Sequence, residues 1–208
     1  MLNLLRKDFI VLKSSLWIIA LYLVVFSLAF IPQSEMSMYF VGIYTAFGSV
    51  ILATMIDIRN HNHNFLVTLP ISRKQIVKAK YLSAILYTFF GVLASYGIHW
   101  LMKLNYSELN KPNYTILDIL FAVGIVFVLV SIYMPLFYSL SKKGAAIINA
   151  VFMTSLIILA QPVAVLLDIV NEKGRIGVPL MILISMGILL LFFVSYVVTV
   201  RLFSRKDL

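Results

Sequence analysis

The sequence predicts an all-α integral membrane protein with six transmembrane helices and both termini in the cytoplasm. Three observations carry that prediction. Hydrophobic residues make up 62% of the 208-residue chain and charged residues only 12%, about half the charge fraction of an ordinary soluble domain. The charges are also spaced. Uncharged runs of 21, 21, 22, 23, 24 and 25 residues separate Lys13 from Glu35, Glu35 from Asp57, Lys80 from Lys103, Asp118 from Lys142, Lys143 from Asp168 and Arg175 from Arg201. A membrane-spanning helix needs about 20 mostly apolar residues, so six such runs make six spans and leave no room for a soluble catalytic domain. Finally, Lys and Arg fall 13 on the side of the termini and even-numbered loops and 4 on the other. The bias of cationic loops toward the cytoplasm sets the orientation.

The expected spans are about 15–32, 37–56, 81–102, 117–140, 145–167 and 178–200, in a single transmembrane domain covering 1–208. Residues 1–14 precede the first span. Leu2, Leu5, Phe9, Leu12 and Leu16 recur at helical spacing, with Arg6, Lys7 and Lys13 off that stripe. Two readings stand side by side: a short helix lying in the inner interface, or a basic anchor that only fixes topology. The basic start and apolar run to Ile31 resemble a signal peptide, but no small-residue cleavage site follows, so the segment reads as an uncleaved first helix.

Pro32 ends span one, and the short loop Gln33–Met36 makes spans one and two a tight antiparallel hairpin. Residues 57–80 form the longest cytoplasmic segment. It holds a polar Asn/His run from Asn60 to Asn64, an apolar patch of Phe65, Leu66, Val67 and Leu69, Pro70, and then Ser72-Arg73-Lys74-Gln75. Ser72 with Gln75 fits a helix capping box. A helix from Arg73 can run unbroken to about Met102, roughly 45 Å at 1.5 Å per residue, against a hydrocarbon core of about 30 Å. The excess predicts that Arg73, Lys74, Lys78 and Lys80 project into the cytoplasm. Further on, Pro135 predicts a kink in span four. Gln161-Pro162 interrupts span five, which either kinks and continues to Leu167 or breaks and leaves a small outer segment. Gly177 and Pro179 open span six, and the basic tail from Arg201 closes it inside.

The missing chemistry is as informative. The chain has no cysteine, which excludes disulfides and thiolate sites. It contains no phosphate-binding Gly-rich loop, no Gly-x-Ser-x-Gly elbow and no His-Glu-x-x-His, so no ATP, nucleophile or zinc site of those types is expected. Neither a catalytic residue nor a metal or cofactor ligand is assigned. His61 and His63 have no third ligand nearby and read as loop residues. His99, near the outer end of span three beside Trp100, reads as an interfacial residue in preference to a proton relay. The net charge of +9 is a topology signal. No basic segment is interleaved with stacking aromatics, so no nucleic-acid partner is expected. Of the polar side chains inside spans, Tyr44, Ser49, Tyr87, Ser95, Tyr133 and Gln161 could line a substrate path, although such groups more often join helices. Twenty-eight aromatics suit an apolar cargo and a lipid-facing surface equally.

Two stretches resemble one family. Leu4-Leu5-Arg6-Lys7-Asp8-Phe9 is similar to the Leu-Leu-Lys-Lys-Asp-Leu opening of small bacterial ABC-2 type transporter permeases. Thr68-Leu69-Pro70-Ile71-Ser72-Arg73-Lys74-Gln75-Ile76-Val77, followed by Lys80-Tyr81-Leu82, resembles that family's Ser-Leu-Pro-Val-Ser-Arg-Lys-x-Ile-Val-x-x-Lys-Tyr-Leu signature. Length and span number agree over the whole chain. The Asn/His run departs from the more acidic segment usual there. The resemblance implies a type V exporter-like permease of the bacterial cell membrane. It would work with a cytoplasmic ABC ATPase, which binds the ATP and Mg, and with a second permease chain, alike or different, in the lipid bilayer. It implies export of peptides or antimicrobial resistance, and a coupling element in the loop between spans two and three. Arg59, Phe65, Leu66, Leu69, Pro70, Arg73 and Lys74 are therefore the expected ATPase-docking residues. The apolar patch could instead dip into the inner leaflet. An ATP-independent membrane sensor or regulatory scaffold would use the same basic surface for a different partner.

Overall fold

The computed structural model describes residues 6, 7, 10, 13, 16–31, 37–60, 72–105, 114–141, 143–155 and 178–205. Among them the ordered elements are all helical: α1 (Leu16–Phe30), α2 (Ser37–Arg59), α3 (Arg73–Asn105), α4 (Ile116–Ser139), α5 (residues 143–155) and α6 (Val178–Ser204). Arg6, Lys7, Ile10 and Lys13 are also helical, ahead of α1. Four helices are long and apolar enough to cross a membrane, namely α2, α3, α4 and α6. The described part of α1 has 15 residues, about 22 Å of helix.

The centre of the fold is the α2–α3 pair, and small residues are what let the two helices approach. A Cβ placed on Gly91 of α3 would lie 2.5 Å from the Ala46 nitrogen and 2.6 Å from its Cα. No side chain larger than hydrogen fits there. Gly42 of α2, one turn before Ala46, lies against Val92 and Ser95. Small residues four apart on facing helices are the usual device for close packing in lipid, where apolar surface alone gives no preference for a protein neighbour. Ser95 completes the seam by donating from Oγ to the Met38 carbonyl, 3.0 Å away.

The remaining helices pack around this pair. α1 lies on α2 through Ile19 and Leu23, and α4 fills the groove between α2 and α3. Val126, Val130, Tyr133 and Met134 of α4 are fully enclosed there. α5 joins through Phe152, whose ring lies 5.8 Å from Phe47 and 5.3 Å from Tyr133. α6 packs on α4 and α3. Its one polar row, Ser195 and Thr199, faces Tyr81 of α3 at 2.7 and 2.8 Å, and Ser195 donates to the Ser131 carbonyl of α4. Phe192 and Tyr196 pack on Tyr81 beside that row and Phe203 is buried, while Leu183, Met186, Leu190 and Phe193 face outward.

The helix termini follow local sequence chemistry. The Gln75 amide donates to Ser72 Oγ and the Ser72 amide to Gln75 Oε1, both at 3.3 Å. The expected capping box is thus in place, and α3 continues from it for 33 residues without a break. A second box, Thr115 with Asp118, starts α4. α4 runs on through Pro135 as one helix. The course of span five past residue 155, Pro162 included, lies outside the described residues.

One expectation is corrected. Lys80 does not project into solvent. It is 5% exposed and ion-paired to Asp57, because α2 and α3 pack tightly along their whole shared length and bring both side chains into the seam. His99, near the end of α3, is buried in the helix packing, with Trp100 beside it exposed. The His99 Nε2 lies 2.8 Å from Ser37 Oγ and Nδ1 lies 2.8 Å from the Ser95 carbonyl. A carbonyl only accepts, so Nδ1 carries a proton; in a neutral ring the serine hydroxyl then donates to Nε2.

Candidate functional site

The chemistry of the fold gathers where the end of α2, the start of α3 and the end of α6 come together. α2 ends in Thr54, Asp57 and Arg59. The first two continue the buried face of Gly42, Ala46, Val50 and Ala53, so helical periodicity carries a carboxylate into the seam. Asp57 is 1% exposed. Lys80, two turns into α3, reaches it from one side, and Lys7, ahead of α1, reaches Oδ1 from the other at 3.3 Å. Burying an ionised carboxylate is costly unless it is paired, and here two cations share it. Above the pair is a space hardly wider than a water molecule, lined by Val50, Thr54, Lys80, Ser83, Tyr87 and Met134.

Thr54 opens a neutral network. Its hydroxyl contacts Tyr133 Oη, which donates to Asn149 Oδ1 at 2.6 Å. One chain of hydroxyls thus ties α2, α4 and α5 at one depth. Nδ2 of Asn149 and Oγ of Ser27 are buried without a hydrogen-bond partner among the described residues.

Arg73 forms the third feature. Its guanidinium Nη1 donates to the carbonyls of Phe203 and Ser204, both at 3.0 Å, and lies 5.9 Å above the Phe203 ring. Those are the last carbonyls of α6, which have no partner within the helix, and a cation there also meets the negative end of the helix dipole. Phe203 is itself buried, edge-on to Tyr138 at 5.0 Å. The start of α3 is thereby clasped to the end of α6.

Of the residues expected to dock the ATPase, Arg59 and Lys74 are exposed. Arg73 is turned toward α6. Phe65, Leu66, Leu69 and Pro70 lie outside the described residues, as do His61 and His63. Of the residues expected along a substrate path, Tyr44, Ser49, Tyr87, Ser95 and Tyr133 are all buried within this chain's helix packing, and Gln161 lies outside the described residues. Ser49 bonds back to the Thr45 carbonyl, while Ser95 and Tyr133 join helices. The Asp57 cluster escaped the sequence reading. The signal for it was the position of Asp57, eleven residues after Ala46 on the small-residue face.

The chain matches the family described as ABC-2 family transporter protein over residues 3–204. No curated protein and no solved structure matches it.

Proposed function

The chain belongs to the ABC-2 family of transporter proteins, and on that premise we propose that it is an exporter permease of the bacterial cell membrane. It is a multi-pass membrane subunit of an ABC transporter, distinct from the ATPase with which it works. We read it as six spans with both termini inside, paired with a second permease chain above two ATPase subunits. ATP and Mg would be held by the partner, with no cofactor in this chain. The cargo would be an amphipathic or antimicrobial peptide, or another apolar molecule. The family match over nearly the full length carries this reading. The Lys/Arg asymmetry supports the orientation, and the long basic start of α3 supports an inner contact with a partner.

The test is co-expression with an ABC ATPase encoded beside it, followed by transport in inside-out vesicles. ATP-dependent accumulation of a labelled amphipathic peptide is the expected result. Failure of the ATPase to copurify, or uptake independent of ATP, would reject the proposal. Topology is checked separately. Ser34→Cys, Asn110→Cys and Asn171→Cys should react with an impermeant thiol reagent in intact cells, and Asn62→Cys and Ser204→Cys should not. With no native cysteine, each label reports one site.

A further inference from the structure

Four of the described helices divide into two pairs. Within each pair the surfaces are wedged together. In one, Gly91 of α3 lies against the Ala46 backbone of α2. In the other, Gly124 of α4 faces Ile188 of α6, where a Cβ would come within 3.1 Å of Cδ1. The α4–α6 contact continues through Phe127 with Phe192 and Tyr138 with Phe203, at 4.9 and 5.0 Å between ring centres, and through the bond from Ser195 to the Ser131 carbonyl at 2.7 Å. Close-packed seams of this kind resist sliding, because a small shift drives atoms into overlap.

Between the pairs hydroxyls meet, and they are short of protons. Tyr81 Oη of α3 lies 2.7 Å from Ser195 Oγ and 2.8 Å from Thr199 Oγ1 of α6. Ser195 also reaches the Ser131 carbonyl, and Thr199 the Ser195 carbonyl at 2.8 Å. These are four contacts among three hydroxyls, each with one proton to donate, so one contact lacks a hydrogen in every arrangement. The shortage recurs between α2 and α4. Thr54 reaches the Ile51 carbonyl and Tyr133 Oη, and Tyr133 reaches Asn149 Oδ1, which makes three contacts for two hydroxyl protons. Such a seam can exchange one partner for another and keep its number of hydrogen bonds.

We propose that the α4–α6 pair slides as one body along the α2–α3 pair, with Tyr81 passing between Ser195 and Thr199. The two hydroxyls are four residues apart, about 6 Å along the helix, and Tyr81 Oη lies between them. A slide of about 3 Å either way brings one hydroxyl level with Tyr81 and releases the other. Each end position then has three contacts for three protons, so the two are matched in hydrogen bonds. Polar contacts at the two ends bound the travel. Tyr39 donates to Asp118 Oδ1 at 2.5 Å at the start of α4, and Arg73 donates to the last carbonyls of α6. A second carboxylate oxygen and neighbouring carbonyls let each follow a short displacement. The inference extends beyond the transport reading and does not depend on the partner ATPase, the cargo or the orientation of the chain.

The full chain in nanodiscs tests it, with spin labels on Phe90→Cys of α3 and Leu202→Cys of α6, both exposed. The two helices are antiparallel, since Arg73 meets Ser204 where Tyr81 meets Ser195, so the labels lie on opposite sides of Tyr81 along the seam. Thr199→Val leaves Tyr81 with Ser195 and should lengthen the distance by about 3 Å. Ser195→Ala leaves it with Thr199 and should shorten the distance by about the same amount. Each variant carries its own sign, so one decides if the other fails to fold. A second pair of labels, Leu120→Cys of α4 with Leu202→Cys, both exposed, should keep its distance in Thr199→Val. An unchanged Phe90–Leu202 distance, or a shift of the wrong sign, overturns the slide. A Leu120–Leu202 distance that changes as much as the first shows α6 moving alone and overturns the movement of the pair.

Discussion

Helices α2 and α6 have similar lengths, 23 and 27 residues, and opposite surroundings. Of the membrane-length window of α2, 78% is buried inside the protein, against 11% for α6. The buried helix is the less apolar one. α2 carries Ser37, Thr45, Ser49, Thr54, Asp57 and two glycines, while α6 presents Leu183, Met186, Leu190 and Phe193 outward. A soluble protein sorts the other way. When the solvent is hydrocarbon, apolar surface gains little by leaving it, and helices are held by close backbone approach and by polar groups that find each other. α2 is placed by small and polar residues. α6 is placed by one polar row, by the aromatic contacts of Phe192, Tyr196 and Phe203, and by the Arg73 clasp, and turns its remaining apolar side chains outward.

This contrast orders the expected effects of substitution. The largest is Gly91→Leu. Its Cβ would overlap the Ala46 backbone, so α2 and α3 must separate, at about 3 kcal/mol or more. Gly187→Leu on α6 has nothing within 4 Å and should leave the protein unchanged. Size-exclusion profiles and thermal stability in detergent distinguish the two, and equal behaviour would break the contrast. Next is Asp57→Ala, which strands the Lys80 charge in the seam and should cost about 3–5 kcal/mol. Pairing it with Lys80→Leu should recover most of that loss in the same assay. A third, smaller effect belongs to α6. Ser195→Ala removes its bonds to Tyr81 and Ser131 and should cost about 0.5–1.5 kcal/mol, enough to lower the unfolding temperature measurably. The smallest is Leu190→Ala, at an outward position 66% exposed. Its change should stay within about 0.5 kcal/mol, and a larger loss would mean that this face of α6 is covered by protein.

What the sequence made legible divides along the same physical line. The start of α3 was readable because a capping box is a contact between Ser72 and Gln75, three residues apart. The apolar helices were readable because charge is excluded along their length. The Asp57–Lys80 pair was not, because it depends on which faces of α2 and α3 meet, and helical position alone gives two choices for each. The partners of His99 were hidden for the same reason: Ser37 and Ser95 are supplied by a packing that local sequence does not encode. Arg73 was read as a surface cation within a basic cluster, whereas its partners lie 130 and 131 residues further along the chain.

The length of α3 has a mechanical consequence. Thirty-three residues make a rod of about 50 Å, and at Gly91 its backbone comes against that of Ala46. That crossing and the Lys80–Asp57 pair bind α2 to the stretch of α3 that leads back to Arg73. Gly91 follows Arg73 by eighteen positions, a length of about 27 Å, so a tilt of roughly 10° at Gly91 would carry the Arg73 end about 5 Å. The displacement would not stop there. The guanidinium holds the final carbonyls of α6, while Lys80 and Gly91 hold α2. A push on the Arg73 end of α3 is therefore delivered to both neighbours at once, to the tip of α6 and along the flank of α2.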